Sequence, residues 1–445
     1  MRIRSVLGLI TALTLVGCGS SESPTSSTSN GSPISVSVSY TDTVPTALMK
    51  VLTQLTGQGP VDVILHNNSS SSAVVHVSIA ITPGFADSGF QTVTIQPGQT
   101  DTVSPTLILN PKADSLTTLT PANFTVQVTQ INGATSKSLL SETHLALLMA
   151  HDAMLWTWHG QDLTAFLPVW VTPQNQAIVD FMAIAKGYWS GNNWSGYQNS
   201  SLQKDSILSS ALTVPSSNLA IWTGFPDGYG YVSGTISSSD NITLQFQDTT
   251  TGASSNFSTK QTSVTLNQAA FSGPGNLVLS SGNLLLNATV AANLKYVFYA
   301  GHVRQQVKAI YNALQTRGIT YASNPISFPT GSQRIRYPAA SLKEKSANCI
   351  DGTVLMAAAM EYIGLHPLIV VVPGHAFVGW RPLNDTIQPP DFLETTMIAD
   401  STFEAALKFG NTEYHQHALA GDGKIVDIAK ARALGVTPGA RLLQK

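Results

Sequence analysis

Three residues in the C-terminal part of the chain have the types and the order needed for nucleophilic catalysis by a thiol. They are Cys349, His375 and Glu394. In such an arrangement the histidine takes the proton of the thiol, and the acid fixes the tautomer of the imidazole and stabilises the imidazolium. A lone histidine is more often a structural residue, but these three residues together favour a catalytic arrangement.

The cysteine lies where a helix is predicted to begin. Asn348 is a good N-cap residue, Asp351 follows three positions later as in a capping box, and Gly364 ends the helix. The stretch 354–360 is apolar almost without a break, so we expect a helix that is buried nearly all round. In its first turn the helix dipole favours a Cys349 thiolate. An inert packed cysteine would lie more naturally further along the apolar run.

The histidine and the glutamate are predicted on neighbouring strands. The three β-type stretches cover residues 368–372, 375–380 and 392–398. The tight-turn pair Pro373-Gly374 separates the first two, so His375 opens the second strand. Antiparallel pairing of the second and third would bring His375 beside Glu394, with the helix end that carries Cys349 across them.

Two further acids near these positions have simpler roles. Asp351 would oppose thiolate formation as a nearby carboxylate, so we assign it a structural, helix-capping role near the site. Asp400 competes with Glu394 for the role of the acid. It precedes Ser401-x-x-Glu404, however, which is typical of a capping box for a helix that continues through Phe409. A role at the start of that helix is therefore enough to explain Asp400.

An acyl-transfer site also needs hydrogen-bond donors for the oxyanion. We expect the backbone N–H of Cys349 to be one donor. Asn348 is the candidate for a side-chain donor, with Gln333 as the alternative.

A metal site is the competing interpretation of the histidines. His415 and His417 lie close together, and His375 could join them. The chain has no HExxH motif, however, and its tail is predicted to be an exposed polar loop. We therefore expect neither a metal nor another cofactor.

Three short motifs surround the candidate residues, and weaker ones accompany them. The core motifs are Cys349-x-Asp351, Gly374-His375-Ala376-Phe377 and Leu393-Glu394-Thr395-Thr396. The accompanying motifs are Leu167-x-x-Trp170-Val171-Thr172-Pro173, Gly196-Tyr197-Gln198, Gly318-Ile319-Thr320-Tyr321 and Val426-Asp427-Ile428 with Ala431-Arg432 and Gly435. The core motifs resemble the three blocks of the transglutaminase-like superfamily, which shares the papain-type fold. The accompanying motifs resemble a bacterial subgroup, over about 154–200 and 300–445.

The resemblance implies Cys349 as the nucleophile, His375 as the base and Glu394 as the acid. Many members of the superfamily carry Asp at the position of Glu394. The superfamily includes amide hydrolases, deamidases and cross-linking enzymes, so the resemblance implies acyl chemistry without fixing the acceptor.

Composition excludes several classes of protein. The chain has 445 residues, of which 43% are hydrophobic and 11% charged, with a formal net charge of −2. A near-neutral chain without a Lys/Arg cluster is a poor binder of nucleic acid. The two cysteines exclude a disulfide scaffold and a Cys-rich zinc site.

The first cysteine belongs to an export signal over residues 1–18. Leu15-Val16-Gly17-Cys18 matches the bacterial lipoprotein cleavage box, and the apolar run before it is too short to span a bilayer comfortably. We expect lipidation of Cys18 and a lipid anchor in the cell envelope, at the outer membrane and periplasm if the cell is Gram-negative. Cys349 would then be the only mature thiol, exposed to oxidation, which favours an active role.

The composition and the hydrophobic pattern of the remaining chain predict several domains. They are a disordered tether over 19–33, an immunoglobulin-like β-sandwich over 34–150, a transglutaminase-like domain over 151–200 and 299–445, and an inserted β-rich domain over 201–298. A tryptophan cluster around 156–194 is expected in a core, and Thr172-Pro173 is expected to start a helix. The aromatic loop 225–231 either contacts a ligand or is a turn with packed rings.

The expected fold is therefore an α+β papain-like catalytic domain with an N-terminal β-sandwich and an inserted β-rich domain. The expected function is cysteine acyl transfer on a protein or peptide substrate, with cell-wall peptide as one candidate, by an envelope-anchored lipoprotein. The alternative is a non-catalytic binding or adaptor protein on the same scaffold.

Overall fold

The described part of the chain is a mixed α and β structure, built mostly of strands in several sheets that include a curled half-barrel. The computed structural model describes residues 24–27, 32–57, 59–189, 194, 196–197, 203–214, 218–249, 254–281, 288–300, 302–323, 331–382 and 389–439. Over these ranges we find no helix with the length and apolar character to cross a bilayer. The export signal and Cys18 lie outside the described residues.

The N-terminal part consists of two larger sheets, a two-stranded sheet and a short helix. Its elements are β1 (Pro24–Ser27), β2 (Ile34–Tyr40), β3 (Thr43–Val44), α1 (Met49–Thr56), β4 (Val61–Asn67), β5 (Ala73–Thr82), β6 (Ala86–Asp87), β7 (Gly89–Ile95), β8 (Thr100–Val103), β9 (Ile108–Leu109), β10 (Thr120–Asn132) and β11 (Thr135–Leu148). One sheet has the order β1-β2-β4-β8 and the other β3-β11-β10-β5-β7. Every second residue of β2, β4 and β5 is buried, and these residues share one apolar core.

The predicted tether differs from the structure at four residues. Pro24–Ser27 forms the edge strand β1, which pairs antiparallel with β2. Main-chain hydrogen bonds to an edge strand need no apolar side chains, so the polar composition of this stretch did not predict the strand.

The tryptophan-rich stretch follows. It contains β12 (Ala153–Leu155), β13 (Thr157–Trp158), β14 (Gln161–Asp162) and α2 (Gln176–Ala185). Trp156, Trp158 and Trp170 are buried in the main core, so the expectation of a core role is confirmed for them. The predicted start of the helix was wrong by a few residues, because Asn175 is the N-cap and accepts a hydrogen bond from the N–H of Ala177.

Residues 203–300 form the curled half-barrel, which has an apolar core of its own. Its strands are β15 (Gln203–Val214), β16 (Leu219–Asp248), β17 (Ser254–Ser281) and β18 (Ala288–Ala300), in the order β15-β18-β16-β17. The sheet curls because Leu244 of β16 pairs with both halves of β17, at Ser258 and at Leu279.

The aromatic stretch 225–231 was wrongly predicted as a loop, because it lies within β16. Phe225 is buried, with its ring 4.9 Å from that of Phe271. A Cβ at Gly230 would lie 2.5 Å from the ring of Phe271 and from the carbonyl oxygen of Val297. The glycine therefore makes room for a neighbouring ring and strand rather than forming a turn, and the packed-ring interpretation holds for Phe225.

The C-terminal part carries the candidate residues. Its elements are α3 (His302–Arg317), β19 (Thr320–Tyr321), β20 (Ser332–Arg334), α4 (Pro338–Glu344), β21 (Ser346–Ala347), α5 (Cys349–Tyr362), β22 (Pro367–Val372), β23 (His375–Trp380), β24 (Asp391–Leu393), α6 (Phe403–Ala420), β25 (Lys424–Asp427) and α7 (Ile428–Ala433). All residues of α5 from Cys349 to Met360 are buried, as the continuous apolar run predicted. The helix packs against β22 and β23.

The sheet below α5 is antiparallel, in the order β24-β23-β22-β25. Gly374 adopts a positive φ of 75° in the turn between β22 and β23, and His375 pairs with Val372 directly after it. On the other side of β23, Val378 pairs with Leu393, the last residue of β24. This register brings the residue after β24 close to the start of β23.

Two further predictions in this part were wrong in extent. The strand expected over 392–398 ends at Leu393, because the next residues turn into a 3₁₀ helix, Thr395–Met397. The helix expected to end at Phe409 continues to Ala420, and its N-cap is Thr402 rather than Ser401. His415 and His417 therefore lie on α6 rather than in a loop.

Candidate active site

Cys349 is the first residue of α5 and is buried as a free thiol. The capping box is confirmed: Asn348 Oδ1 accepts from the N–H of Asp351 at 2.8 Å, and Asp351 Oδ2 accepts from the N–H of Asn348 at 3.3 Å. The carbonyl of Cys349 accepts hydrogen bonds from the hydroxyls of Thr353 and Thr395. The thiol is thus held at the positive end of a well-anchored helix.

His375 contacts both of its predicted partners. Its side chain lies within hydrogen-bonding reach of Cys349, and its Nε2 donates to Glu394 Oε2 over 2.6 Å. Since Glu394 occupies Nε2, Nδ1 is the ring nitrogen left for the thiol. The His375 side chain is only 22% exposed, so these contacts are largely shielded from solvent.

The environment favours the charged form of His375. Burial lowers the pKa of this side chain, but the hydrogen bonds to Cys349 and Glu394 and their negative charges outweigh burial and raise the pKa to about 10. For Glu394, burial raises the pKa, and the hydrogen bond and charge of His375 outweigh burial and lower it. Near neutral pH the site therefore contains an imidazolium against an ionised carboxylate.

Glu394 is fixed through both of its oxygens. Oε2 accepts from His375, and Oε1 accepts from the N–H of Thr396 at 2.7 Å, so the side chain also caps the 3₁₀ helix. Its backbone N–H donates to the carbonyl of Ala406 on α6 at 3.1 Å. The end of β24 and the position of α6 thus determine where the carboxylate lies.

The Asp351 carboxylate has its own partners, which do not include the thiol in the described part of the chain. Its carboxylate accepts from the N–H groups of Arg336 and Asn348, and the Arg336 guanidinium lies 3.6 Å away. Burial raises the pKa of Asp351, against these hydrogen bonds and the charge of Arg336. These contacts agree with the structural role that we assigned to this residue.

Unused donors lie in and near the first turn of α5. Asn348 Nδ2 is buried and has no hydrogen-bond partner among the described residues, although Asn348 Oδ1 serves as the cap. Gln333, on β20, has both side-chain amide atoms buried and likewise without a partner in the described ranges. The first N–H groups of a helix also lack intrahelical partners. Asn348, next to Cys349 in the chain, is thus the better placed of the two side-chain candidates.

Two further residues lie near the site, and neither was predicted to have a role in it. Glu413, on α6, places Oε2 3.8 Å from His375 Nε2. Tyr321, on β19, pairs with Ala347 and is 44% exposed. Burial raises the pKa of Tyr321, and so do the negative charges of Cys349 and Glu394. The phenol therefore lies near the exposed edge of the site.

If the helix had been predicted to continue to Ala420, the sequence would have placed Glu413 on it. Gly410 and Glu413 are three residues apart, and His417 follows one turn later, so all three lie on one face of α6. Gly410 gave the opposite signal, because a glycine after an apolar stretch is typical of a helix end. In the structure a Cβ at Gly410 would lie 2.7 Å from the backbone of β24, so the glycine permits a close approach instead.

The candidate metal ligands are not those that the sequence suggested. Among the described residues, one group of three could hold a cation: His375, Glu394 and Glu413, whose ligand atoms lie within 4.8 Å of one another. His417 instead pairs with Asp422 at 2.7 Å. His415 does not belong to that group.

Comparisons with known proteins give no family for the chain. No family model and no curated protein matches it. Among solved structures, the YadV chaperone is 12% identical, with 59% of this chain and 92% of that chain covered and a TM-score of 0.16. The secreted serine protease VesC from Vibrio cholerae is 11% identical, with coverage of 54% and 45% and a TM-score of 0.11.

A third solved structure, the VP2 subviral particle of infectious bursal disease virus, is 7% identical, with coverage of 54% and 74% and a TM-score of 0.14. Such low scores do not indicate a shared fold, so the function must be argued from the site.

Proposed function

We propose that the chain is a cysteine hydrolase or acyltransferase that acts on amide bonds, with Cys349 as the nucleophile, His375 as the base and Glu394 as the acid. One observation carries this proposal: His375 lies within hydrogen-bonding reach of the buried Cys349 and pairs through Nε2 with Glu394 Oε2 at 2.6 Å. A largely shielded histidine between a thiol at a helix N-terminus and a buried carboxylate is the arrangement that thiol catalysis requires.

The first half-reaction forms a thioester. The Cys349 thiolate attacks the carbonyl carbon of the amide, and the carbonyl electron pair moves to the oxygen. The N–H of Cys349 and Asn348 Nδ2 are the donors that would stabilise this oxyanion. When the intermediate collapses, the C–N bond breaks and the His375 imidazolium gives its proton to the leaving amine.

The second half-reaction releases the acyl group. Neutral His375 takes a proton from water or from an acceptor amine, which attacks the thioester carbonyl. The C–S bond then breaks, and the thiolate and the imidazolium are restored. Glu394 stays ionised throughout and holds the ring so that Nδ1 faces the thiol. Water as the acceptor gives hydrolysis or deamidation, and an amine gives cross-linking.

We further infer a transglutaminase-like, papain-type arrangement for the C-terminal part. This is supported by α5, which carries Cys349 at its N-terminus and lies on β22 and β23, and by His375 at the first position of β23. The proposed accessory parts are an immunoglobulin-like sandwich over 34–150 and an inserted domain over 201–298, whose core is separate from the main core.

The proposed location is the cell envelope, through a lipid on Cys18, and the proposed substrate is a protein or peptide. Labelling cells with an alkyne-tagged fatty acid tests the anchor. The native chain should incorporate the label and partition with membranes, and Cys18→Ala should do neither. A Cys18→Ala chain that is labelled to the same extent would contradict the anchor.

The catalytic proposal is tested by the rate at which iodoacetamide alkylates Cys349 at about pH 7, followed by intact mass. The folded protein should react faster than a free thiol, and His375→Asn should slow the reaction. His144→Asn is a matched control, because His144 lies in the N-terminal sheets, where it pairs with Asp42. Equal rates for the native protein and His375→Asn would contradict the proposal.

A further inference from the structure

Tyr321 is an exposed aromatic side chain beside the candidate site, and the proposed mechanism does not use it. It lies on β19, where it pairs in parallel with Ala347, the last residue of β21. Only Asn348 separates Ala347 from Cys349 in the chain. The N–H of Ala322 donates to the carbonyl of Ala347 at 2.9 Å, so the backbone of Tyr321 is fixed next to the start of α5.

The same strand also lies beside the acid of the proposed triad. β19 packs against the 3₁₀ helix Thr395–Met397, which begins directly after Glu394. β19 therefore contacts both the segment that leads into the nucleophile and the segment that follows the acid. Paired strands are about 5 Å apart and rise about 3.3 Å per residue, so the backbones of Tyr321 and Cys349 are roughly 8 Å apart. A tyrosine side chain and a bound acyl group can together span that distance.

Exposure distinguishes Tyr321 from the three proposed catalytic residues. Cys349 is fully buried, and the side chains of Glu394 and His375 are 2% and 22% exposed, whereas Tyr321 is 44% exposed. A substrate that reaches the thiol must pass from solvent into this buried region, so an exposed ring at its edge is available for contact with the substrate. The charges of Cys349 and Glu394 both act on the phenol, which agrees with this placement.

The fold needs the backbone of β19 but not the ring of Tyr321. Both residues of the strand, Thr320 and Tyr321, are exposed. The hydrogen bonds to β21 are formed by main-chain groups: the N–H of Thr320 donates to the carbonyl of Lys345, and the N–H of Ala322 to that of Ala347. Substitutions of Tyr321 should therefore leave β19, α5 and the cap of α5 in place.

We propose that Tyr321 is a specificity-determining residue whose ring contacts the group attached to the scissile carbonyl, and that the enzyme prefers acyl groups that carry a ring or another bulky apolar group. Such a group removes apolar area of the tyrosine from solvent, and a pair of aromatic rings gains a further stabilisation. An acetyl group is too small to make this contact. The inference rests on the proposed function, because it names the class of acyl group for that site.

The test compares p-nitrophenyl phenylacetate with p-nitrophenyl acetate as acyl donors for Cys349, measured by the nitrophenolate burst and by intact mass. The ratio of the two acylation rates is compared between variants, so the intrinsic reactivities of the esters cancel. We expect Tyr321→Ala to lower this ratio about tenfold, as for the loss of an apolar contact in a specificity pocket, and Tyr321→Phe to keep it within about twofold. Tyr188→Ala is the matched control, since Tyr188 is 41% exposed in the 3₁₀ helix Lys186–Tyr188.

Iodoacetamide separates a substrate contact from a general change in the reactivity of Cys349, because this small reagent carries no ring. Its rate with Tyr321→Ala should stay within about threefold of the native rate. A rate that changes more than about tenfold in either direction would show that the ring acts on the thiol or on the fold, and would overturn the inference.

Two outcomes of the ester comparison would also overturn the inference. One is a native ester ratio in Tyr321→Ala, and the other is a ratio in Tyr321→Phe that falls as far as in Tyr321→Ala. If neither ester acylates Cys349 of the native protein, the proposed function itself has failed.

Discussion

Replacing Glu394 by Gln should lower the pKa of His375 and so reduce the charge of its ring at alkaline pH. Glu394 uses both oxygens as acceptors, one for His375 Nε2 and one for the N–H of Thr396. A glutamine offers one acceptor oxygen and a donor amide, so one of these two partners then faces a donor. The negative charge beside the ring disappears at the same time, while the burial that lowers the pKa of His375 remains.

The size of this effect follows from the pKa of His375. Its rise from 6.5 to about 10 corresponds to about 5 kcal/mol in favour of the charged ring. Cys349 also raises the pKa of His375 and remains in the variant, so without the Glu394 charge we expect the pKa to fall below 10 without returning fully to 6.5. At about pH 9 the ring should then lose much of its charge. The proposed nucleophile Cys349 would then face a less charged ring, and we expect its alkylation at about pH 9 to slow severalfold.

The assay is an NMR titration of His375 together with denaturant unfolding at several pH values. Because the folded pKa lies above the ordinary one, the stabilisation by the charged ring is complete below about pH 6.5 and is lost as the pH rises through about 10. The native protein should thus exceed Glu394→Gln in stability at about pH 6 and lose most of that advantage at about pH 10.5. A pKa of His375 that stays near 10 in the variant would show that Glu394 does not raise it.

Two further predictions concern the elements that position the site. Asp351→Ala removes half of the capping box and the acceptor for the N–H of Arg336. The free energy of unfolding, measured in urea, should therefore fall by about 1–3 kcal/mol. A free energy of unfolding within about 0.3 kcal/mol of the native value would count against the capping role. Gly410→Ala places a Cβ 2.7 Å from the β24 backbone, so α6 must move and stability should fall by about 1–3 kcal/mol. Gly187→Ala, where a Cβ meets nothing within 4 Å, is the control and should change little. Equal effects of the two glycine variants would contradict the close approach.

Local patterns in the sequence were enough to locate the ends of several site elements. Asn348 and Asp351 form a cap whose two hydrogen bonds depend on residues three apart, and Pro373-Gly374 forms a turn that depends on its own backbone preferences. Both features are decided within a few residues, which is why the starts of α5 and β23 agree with the structure. The helix cap places Cys349 at the first residue of α5, and the turn places His375 at the first residue of β23.

Features that depend on distant contacts were not predictable in the same way. Gly410 is typical of a helix end, but in the structure it permits the close contact of α6 with β24. The helix was therefore predicted to be too short, and Glu413 was not expected to lie on it. The strand expected through residue 398 ends at Leu393, because the Glu394 side chain caps the following turn while it also binds His375. One side chain with two partners on different elements leaves no periodic signal in the sequence.

The proposed reaction passes through an acyl-enzyme on Cys349, which forms with the assistance of His375. The most direct measurement is the intact mass of the native protein and of His375→Asn after brief exposure to p-nitrophenyl acetate at about pH 8, with peptide mapping of the adduct. We expect one acetyl group as a thioester on Cys349 of the native protein, formed in a burst of nitrophenolate, discharged by hydroxylamine and strongly reduced in His375→Asn. Equal acetylation of the two proteins, or acetyl groups on surface lysines with none on Cys349, would contradict it.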